Sequence, residues 1–418
     1  MTTSTKQYLF GLLALVGVIS LVFGVQYLIQ SDFIHTHILP LSKEEKLKAY
    51  ASTVIAECAK ETYAPSCYDK AIPKLMDSGV SMEDAFAITK YIQEETKGYY
   101  FCHVLGHNIA AKETAKDSSK WTGVIARCPT GMCSNGCLHG AAQERFRSEA
   151  LTPTQIEEVL PQLSSICEQG HERNFTRLEQ ASCYHALGHL MMYLTSADIN
   201  ASLKLCNRVA IKGREDYSRV CYDGAYMQIF QPLEPEDFTL VKDIAPATSA
   251  AAEAFCKTYT GEQYASCHGE SWPLYREALN TGPGVTAFCE VLGDEASVSR
   301  CYMGMEYVQT AQLNFEVERI TPYCESMPKE RMGQCFGSAA SRSIETDYRL
   351  APKAVELCAV AETHGVGNRC YSEILFYSSF NYHEGSKEFE QLCNALPDPW
   401  KQKCLTGEGK HTMPSDDA

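Results

Sequence analysis

The sequence predicts an all-α fold, a right-handed α-solenoid of about 34-residue helix pairs stapled by disulfides and preceded by one transmembrane helix. Three observations predict it. Cysteines recur in pairs at a constant period through the second half of the chain. The apolar residues around them follow helical rather than alternating spacing. An uncharged, mostly apolar run near the N-terminus is long enough to cross a bilayer.

The apolar run comprises residues 8–29 and reads YLFGLLALVGVISLVFGVQYLI. Its length suits a membrane-spanning helix, since about 20 apolar residues cross the bilayer core. The run ends in a poor cleavage site, so we expect an uncleaved signal anchor, with a cleaved secretory signal as the alternative. Lys6 precedes the run and Asp32 follows it. The positive-inside rule then predicts a single-pass membrane protein whose large C-terminal domain lies on the extracytoplasmic side.

Composition agrees with an extracytoplasmic domain. The 418 residues include 37 basic and 52 acidic side chains, a net charge of −15, and 20 cysteines. The acidic balance is the opposite of the basic face that nucleic-acid binding requires, so we expect no nucleic-acid partner. Twenty cysteines are many for a reduced cytosolic chain and indicate an oxidising compartment.

The cysteine period defines the repeat. First cysteines are separated by 33, 35, 34 and 35 residues along Cys256, Cys289, Cys324, Cys358 and Cys393. Each has a second cysteine after a polar loop, and three earlier pairs extend the pattern. The predicted disulfides are Cys58–Cys67, Cys167–Cys183, Cys206–Cys221, Cys256–Cys267, Cys289–Cys301, Cys324–Cys335, Cys358–Cys370 and Cys393–Cys404. Zinc ligation is the alternative, and the absence of C-x₂-C spacing in these pairs disfavours it.

Each unit is predicted to be a helix A that ends at the first cysteine, a polar loop, and a helix B that starts at the second cysteine. A small residue follows the second cysteine at Gly224, Gly269 and Gly304, where it can serve close helix packing. The expected segments are a cytoplasmic tail (1–7), the transmembrane anchor (8–29), a linker (30–46), His- and Cys-rich repeats (47–230), a Pro-containing loop or unit boundary (231–250), regular repeats (251–405) and a flexible tail (406–418).

A helix-turn-helix period of this length resembles that of tetratricopeptide repeat proteins. The cysteine pairs make the chain similar to their cysteine-rich, Sel1-like branch. The resemblance covers about residues 50–405 and consists of the period and the helix pattern. The tryptophan-leucine-glycine-tyrosine consensus of tetratricopeptides is absent, and the resemblance implies a fold without implying a partner.

Histidines concentrate in three related motifs, which are CHVLGH (102–107), GCLHG (136–140) and CYHALGH (183–189). Two of the motifs place histidines four residues apart, on one helix face. Equivalent helices of a solenoid stand side by side, so five imidazoles are expected to converge. The predicted metal ligands are His103, His107, His139, His185 and His189, with Glu144 and Asp223 as auxiliaries. One unit further on, His268 directly follows Cys267, so its register differs by one.

Neutral imidazole is the commonest transition-metal ligand, and i,i+4 pairs are natural chelators. The pattern therefore predicts a zinc, copper, iron or manganese site of one or two ions. The alternatives are acid–base chemistry without a metal, and histidines that pack against neighbouring helices. No phosphate-binding loop or dinucleotide fingerprint is present, so no nucleotide cofactor is expected.

Four further cysteines, Cys102, Cys128, Cys133 and Cys137, do not follow the regular pairing. Three connectivities are open to them. Proximity favours Cys128 with Cys137, which leaves Cys102 with Cys133. The glycine-rich run CPTGMCSNGC is alternatively a metal loop, a redox-active pair or a haem attachment, although its spacing differs from C-x-x-C-H.

The sequence is compatible with two functions. The first is a membrane-anchored, extracytoplasmic protein that binds a transition metal through the histidine cluster, with metal-dependent catalysis as an extension. The second is a scaffold that binds a protein or peptide partner on the solenoid surface and whose histidines are structural. Convergence of the imidazole nitrogens distinguishes the two.

Overall fold

The computed structural model describes residues 41–96, 99–146, 151–168, 174–212, 215–233 and 235–408. Within these ranges the chain is helical, with 22 α-helices and one short antiparallel ribbon. The all-α class predicted from the sequence is confirmed. The chain forms two compact units, Met1–Glu57 and Cys58–Ala418.

The elements follow one another in short succession. In the N-terminal half they are α1 (Lys43–Cys58), α2 (Ala64–Leu75), α3 (Met82–Glu95), α4 (His103–Thr114), α5 (Trp121–Ala126), α6 (Gly136–Phe146), α7 (Pro153–Ile166), α8 (Arg177–Leu194), α9 (Ile199–Ala210), β1 (Ile211–Lys212), β2 (Glu215–Asp216) and α10 (Ser218–Phe230). Short 3₁₀ helices at Met76–Ser78, Ser118–Lys120 and Cys133–Asn135 lie between them.

The C-terminal half continues the array. Its helices are α11 (Pro235–Val241), α12 (Ser249–Cys256), α13 (Gly261–Glu270), α14 (Arg276–Leu279), α15 (Gly282–Cys289), α16 (Glu295–Gln312), α17 (Val317–Glu325), α18 (Lys329–Thr346), α19 (Ala351–Thr363), α20 (Gly367–Asn381), α21 (Lys387–Ala395) and α22 (Trp400–Thr406). The 3₁₀ helices here are Trp272–Tyr275, Glu290–Leu292 and Tyr348–Leu350.

Polar loop residues fix where several B helices begin. The Thr176 hydroxyl accepts a hydrogen bond from the Glu179 backbone N–H at 3.1 Å, and the Glu179 carboxylate accepts one from the Thr176 N–H at 2.9 Å, at the start of α8. The Asp294 carboxylate accepts from the Ser297 N–H at 2.9 Å at the start of α16. Such caps satisfy N–H groups that have no partner inside the helix.

Disulfides join the A and B helices of each unit. All eight pairs expected from the repeat spacing are present, with Cα–Cα distances of 5.3–5.6 Å. Their sequence separations are 9–16 residues. Closing a loop of about 15 residues stabilises the fold by about 3 kcal/mol in the chain-entropy account.

The remaining four cysteines form Cys102–Cys133 and Cys128–Cys137. No free thiol is left, since all 20 cysteines lie within the described ranges and are paired. Metal, redox-dithiol and haem interpretations of the CPTGMCSNGC run therefore do not apply to this structure. Ten disulfides indicate an oxidising, extracellular environment.

The unit Cys58–Ala418 closes on itself, because residues of its C-terminal half contact residues of its N-terminal half. Phe315 meets the Tyr100 ring edge-on at a centroid distance of 6.2 Å. The Lys353 ammonium lies 4.8 Å from the same Tyr100 ring. The His383 imidazole bonds to the Asn174 carbonyl oxygen at 3.0 Å. The inner face of the array therefore surrounds a cavity, which the cysteine period alone does not reveal.

The predicted fold class is wrong in one part, the preceding transmembrane helix. No helix in the described ranges is both long and apolar enough to cross a bilayer. The longest of them have 18 residues and carry charged side chains, whereas a span needs about 20 apolar residues. The predicted tail (1–7) and anchor (8–29) lie outside the described residues.

Two other predicted segments contain helix. The predicted linker over 30–46 includes the start of α1 at Lys43, and its residues up to 40 lie outside the described ranges. The Pro-containing segment over 231–250 includes α11, whose Asp237 is only 2% exposed. Prolines at helix starts are compatible with helix, because the first N–H groups have no intrahelical partner.

Glycines let successive B helices touch backbone to backbone. A Cβ at Gly140 of α6 would lie 2.2 Å from the His107 carbonyl oxygen of α4. A Cβ at Gly224 of α10 would lie 2.0 Å from the His185 carbonyl oxygen of α8. Real Cβ atoms do not approach so closely. The packing role expected for the small residue after the second cysteine is present at Gly224, while Gly269 and Gly304 face open space.

We predict that Gly224→Ala lowers the free energy of unfolding by about 1–3 kcal/mol, because α8 and α10 must separate to admit the methyl group. Urea denaturation of the full chain measures the change. Gly304→Ala is the matched control, at the same position three residues after its cysteine. It should be neutral or stabilise by about 0.5–1 kcal/mol. Equal destabilisation by both substitutions would contradict the packing role.

Candidate metal centre

Three neighbouring B helices carry the five histidines of the three motifs. Helix α4 begins at His103 and presents His107 one turn later on the same face. Helix α8 presents His185 and His189 in the same way. His139 of α6 lies between the two pairs. The convergence expected from the repeat is therefore present.

The imidazole rings form one continuous cluster. Within the pairs, His103 Nε2 and His107 Nε2 are 3.1 Å apart, and His185 Nε2 and His189 Nε2 are 3.2 Å apart. The His139 ring centroid lies 4.9 Å from that of His103 and 5.3 Å from that of His185. Tetrahedral ligands bonded at 2.0–2.1 Å are about 3.3 Å apart, so both pairs have chelating separation.

Hydrogen bonds to the next helix orient the rings. His103 Nδ1 lies 3.1 Å from the Ser134 carbonyl oxygen, and His139 Nε2 lies 3.1 Å from the Ser182 carbonyl oxygen. His189 Nδ1 lies 2.8 Å from Gln228 Oε1. A carbonyl oxygen only accepts, so these ring nitrogens donate and the opposite nitrogen keeps its lone pair. Metal-binding histidines are held by outer hydrogen bonds of the same kind.

His139 Nδ1 is the unsatisfied atom of the cluster. It is buried and has no hydrogen-bond partner among the described residues. Its lone pair is available, since the N–H is on Nε2 and bonds to Ser182. Leaving a buried acceptor unpaired costs about 1–3 kcal/mol. A cation at this point would remove that cost.

Burial lowers the pKa values of four imidazoles of the cluster, those of His103, His139, His185 and His189. Desolvation, followed by the charge of Arg342, lowers the pKa of His103 to about 4. Desolvation, followed by the neighbouring imidazoles, holds the pKa of His139 well below its usual range. Desolvation also lowers the pKa values of His185 and His189. Neutral imidazole is the form that binds metal ions.

Three of the seven predicted ligands form a compact group. One nitrogen from each of His103, His107 and His139 lies within 4.8 Å of the other two, so the group can hold a metal ion. In a tetrahedral site, the two of these nitrogens that are farthest apart would be about 1.5 Å closer to each other. His185 and His189 form the adjacent pair, outside that group.

The two predicted carboxylates do not join the group of candidate ligands. The Asp223 carboxylate instead lies 3.5 Å from the Arg219 guanidinium and lines the neighbouring cavity. Glu144 is half-buried on α6, five residues beyond His139. A helix turns 100° per residue, so this spacing directs the two side chains away from each other.

His268 shows what a structural histidine looks like in this fold. It is 4% exposed, its Nε2 donates to the Phe288 carbonyl oxygen at 2.7 Å, and its ring stacks on Phe288 at 4.2 Å. It lies outside the group of candidate ligands. Its helix α13 lies two B helices beyond α8, the last helix that contributes to the cluster.

A cavity of about 1030 Å³ adjoins the cluster. His103, His139 and His185 lie on its wall. The lining also includes Arg342 and Glu345 of α18, which sequence reasoning missed. They are about 200 residues away in the chain, and no motif marks them. Only closure of the array brings them to the histidines.

We predict that the metal-free protein loses stability as the pH falls from about 6.5 to about 4. In the unfolded chain a histidine becomes protonated below its ordinary pKa of about 6.5. Buried His103 becomes protonated only near pH 4, so protonation between these values favours the unfolded chain. This stability is therefore fully present above pH 6.5. Denaturation in a chelating buffer at several pH values measures it. His103→Gln should lose stability less steeply, and an unchanged slope would contradict the assignment.

Comparison with known proteins gives no relative to argue from: no protein-family model, no curated protein and no solved structure matches this chain. The similarity to Sel1-like repeats rests on the period and helix pattern alone. Function must therefore be argued from the residues of the site.

Proposed function

We propose that this protein binds a transition-metal ion through His103, His107 and His139. The observation that supports the proposal most is the buried, unpaired Nδ1 of His139 beside a histidine pair at chelating distance. The lowered pKa values of His103 and His139 and their bonds to backbone carbonyls supply the protonation state and orientation that a metal requires.

Three nitrogen ligands leave a coordination position open on a four-coordinate ion. Sites of three imidazoles and one exchangeable position are typical of catalytic zinc, and a bound water there loses a proton near neutral pH. His103 and His139 also line the cavity, so a molecule in the cavity can reach the ion. We therefore propose metal-dependent catalysis on a small molecule, with zinc as the first metal to test and copper, iron and manganese as the others.

A scaffold with structural histidines is the competing proposal. The bonds from each ring to the next helix also stabilise packing, as they do at His268. A cavity of about 1030 Å³ is near the upper end of the range for small-molecule sites, which favours a small ligand over a folded partner. The net charge of −15 would favour a basic partner on the outer surface.

We predict that the full chain, made in an oxidising compartment without a histidine tag, contains about one equivalent of a transition metal. Elemental mass spectrometry measures it, before and after reconstitution. His139→Ala should lose the metal, because its ring supplies the third nitrogen. A second equivalent would indicate that His185 and His189 also bind an ion.

His268→Ala is the matched control, since it removes a buried histidine outside the cluster. It should lower thermal stability and leave the metal content unchanged. An absence of metal after reconstitution with zinc, copper, iron and manganese would reject the proposal in favour of structural histidines. Equal loss from both variants would show that general unfolding, rather than a missing ligand, releases the ion.

A further inference from the structure

We propose that the cavity binds a small molecule carrying an oxyanion, a carboxylate or a phosphate, and that Arg342 holds this group beside the metal centre. The inference rests on the proposed metal site and names the substrate class for it. The guanidinium is suited to the task because its planar donors match both oxyanions in a two-point contact.

Arg342 reaches the histidine cluster through Phe101. The Phe101 ring stacks on the His103 ring at 6.0 Å with an interplanar angle of 21°. The Arg342 guanidinium carbon lies 5.5 Å from the Phe101 ring centroid. All three side chains line the cavity. The charge of Arg342 contributes to the lowered pKa of His103, which agrees with this proximity.

Neighbouring side chains hold the Arg342 guanidinium in place and leave some of its N–H donors without a partner in the described part of the chain. Glu345 accepts a hydrogen bond from Arg342 Nη1 at 2.6 Å, and the Tyr307 ring centroid lies 5.5 Å from the guanidinium carbon. The side chain is only 14% exposed. Its Nε is buried and has no hydrogen-bond partner in the described part of the chain. An oxyanion would satisfy this donor.

Charge at this end of the cavity favours an anion. Three neutral imidazoles leave the full charge of a bound divalent ion uncompensated. Arg342 adds a second cationic group near His103, and its partner Glu345 offsets part of that charge. Carboxylates in the rest of the cavity, such as Asp223 and Glu270, lie on other helices. In a protein with a net charge of −15, such a local concentration of positive charge selects an anionic group.

The rest of the cavity suits an apolar body. Met227, Trp272, Leu292 and Met303 contribute to its lining. Pockets of this size usually combine apolar walls with a few polar groups that fix the orientation of the ligand. The expected ligand is therefore amphipathic, with its anionic end at Arg342 and the metal.

The test uses the full-length protein loaded with cobalt(II), whose visible spectrum reports on its ligands. Acetate and inorganic phosphate are titrated separately, which distinguishes a carboxylate site from a phosphate site. At least one should change the spectrum saturably. Arg342→Gln should keep its cobalt content and bind that anion about tenfold to a hundredfold more weakly, because a charged hydrogen-bond donor is lost. Arg342→Lys should bind the anion with an affinity between those of the wild type and Arg342→Gln.

Arg300→Gln is the matched control, because Arg300 also lines the cavity but bonds to Glu262 at 2.9 Å and belongs to α16. It should bind the anion as the wild type does. If neither anion alters the spectrum, or if Arg342→Gln and Arg342→Lys both bind like the wild type, the oxyanion site is rejected while the metal site stands. If the wild type takes up no cobalt, the metal site fails, and the oxyanion site falls with it.

Discussion

Backbone contact between successive helices, made at their glycines, sets the spacing of the histidine cluster. Gly140 touches the backbone of His107, and Gly224 touches the backbone of His185. With a side chain at Gly140, α4 and α6 would stand farther apart, and His139 would move away from His103 and His107. A side chain at Gly224 would move α10, whose Gln228 bonds to His189, away from α8. Each motif therefore combines a glycine, which allows two helices to approach closely, with histidines on the neighbouring face of the helix. The three motifs are CHVLGH, GCLHG and CYHALGH.

Disulfides and array closure supply the remaining constraints. Eight disulfides tie helix A to helix B in the repeats, and Cys102–Cys133 and Cys128–Cys137 join the segments around α4, α5 and α6. Closure of the unit then brings Arg342 of α18 close to the cluster through Phe101. Burial lowers the pKa values of His103 and His139 and leaves the His139 Nδ1 without a hydrogen-bond partner among the described residues. The chemistry of the site thus depends on packing as much as on the ligands.

The sequence was sufficient to predict the local features, which are the helix pairs, the disulfides and the histidine faces. It was not sufficient to predict contacts between distant parts of the chain. The period predicted the helix pairs and the disulfides, and the i,i+4 spacing predicted the faces of His103 and His107. Sequence reasoning also placed Glu144 and Asp223 with the candidate ligands. Carboxylates are suitable metal ligands, but the sequence does not show in which direction each of these side chains points. Arg342 was missed, since closure depends on contacts between residues hundreds of positions apart. The transmembrane helix was inferred from residues 8–29, which are outside the described ranges.

We propose that three imidazoles of the cluster bind one metal ion. X-ray absorption spectroscopy of the zinc-loaded full-length protein is the decisive measurement of this site. We expect three imidazole nitrogens and one further light atom at about 2.0–2.1 Å, without sulfur, since every cysteine is in a disulfide. A shell of oxygen atoms with one imidazole or none, or a sulfur contribution at about 2.3 Å, would contradict it.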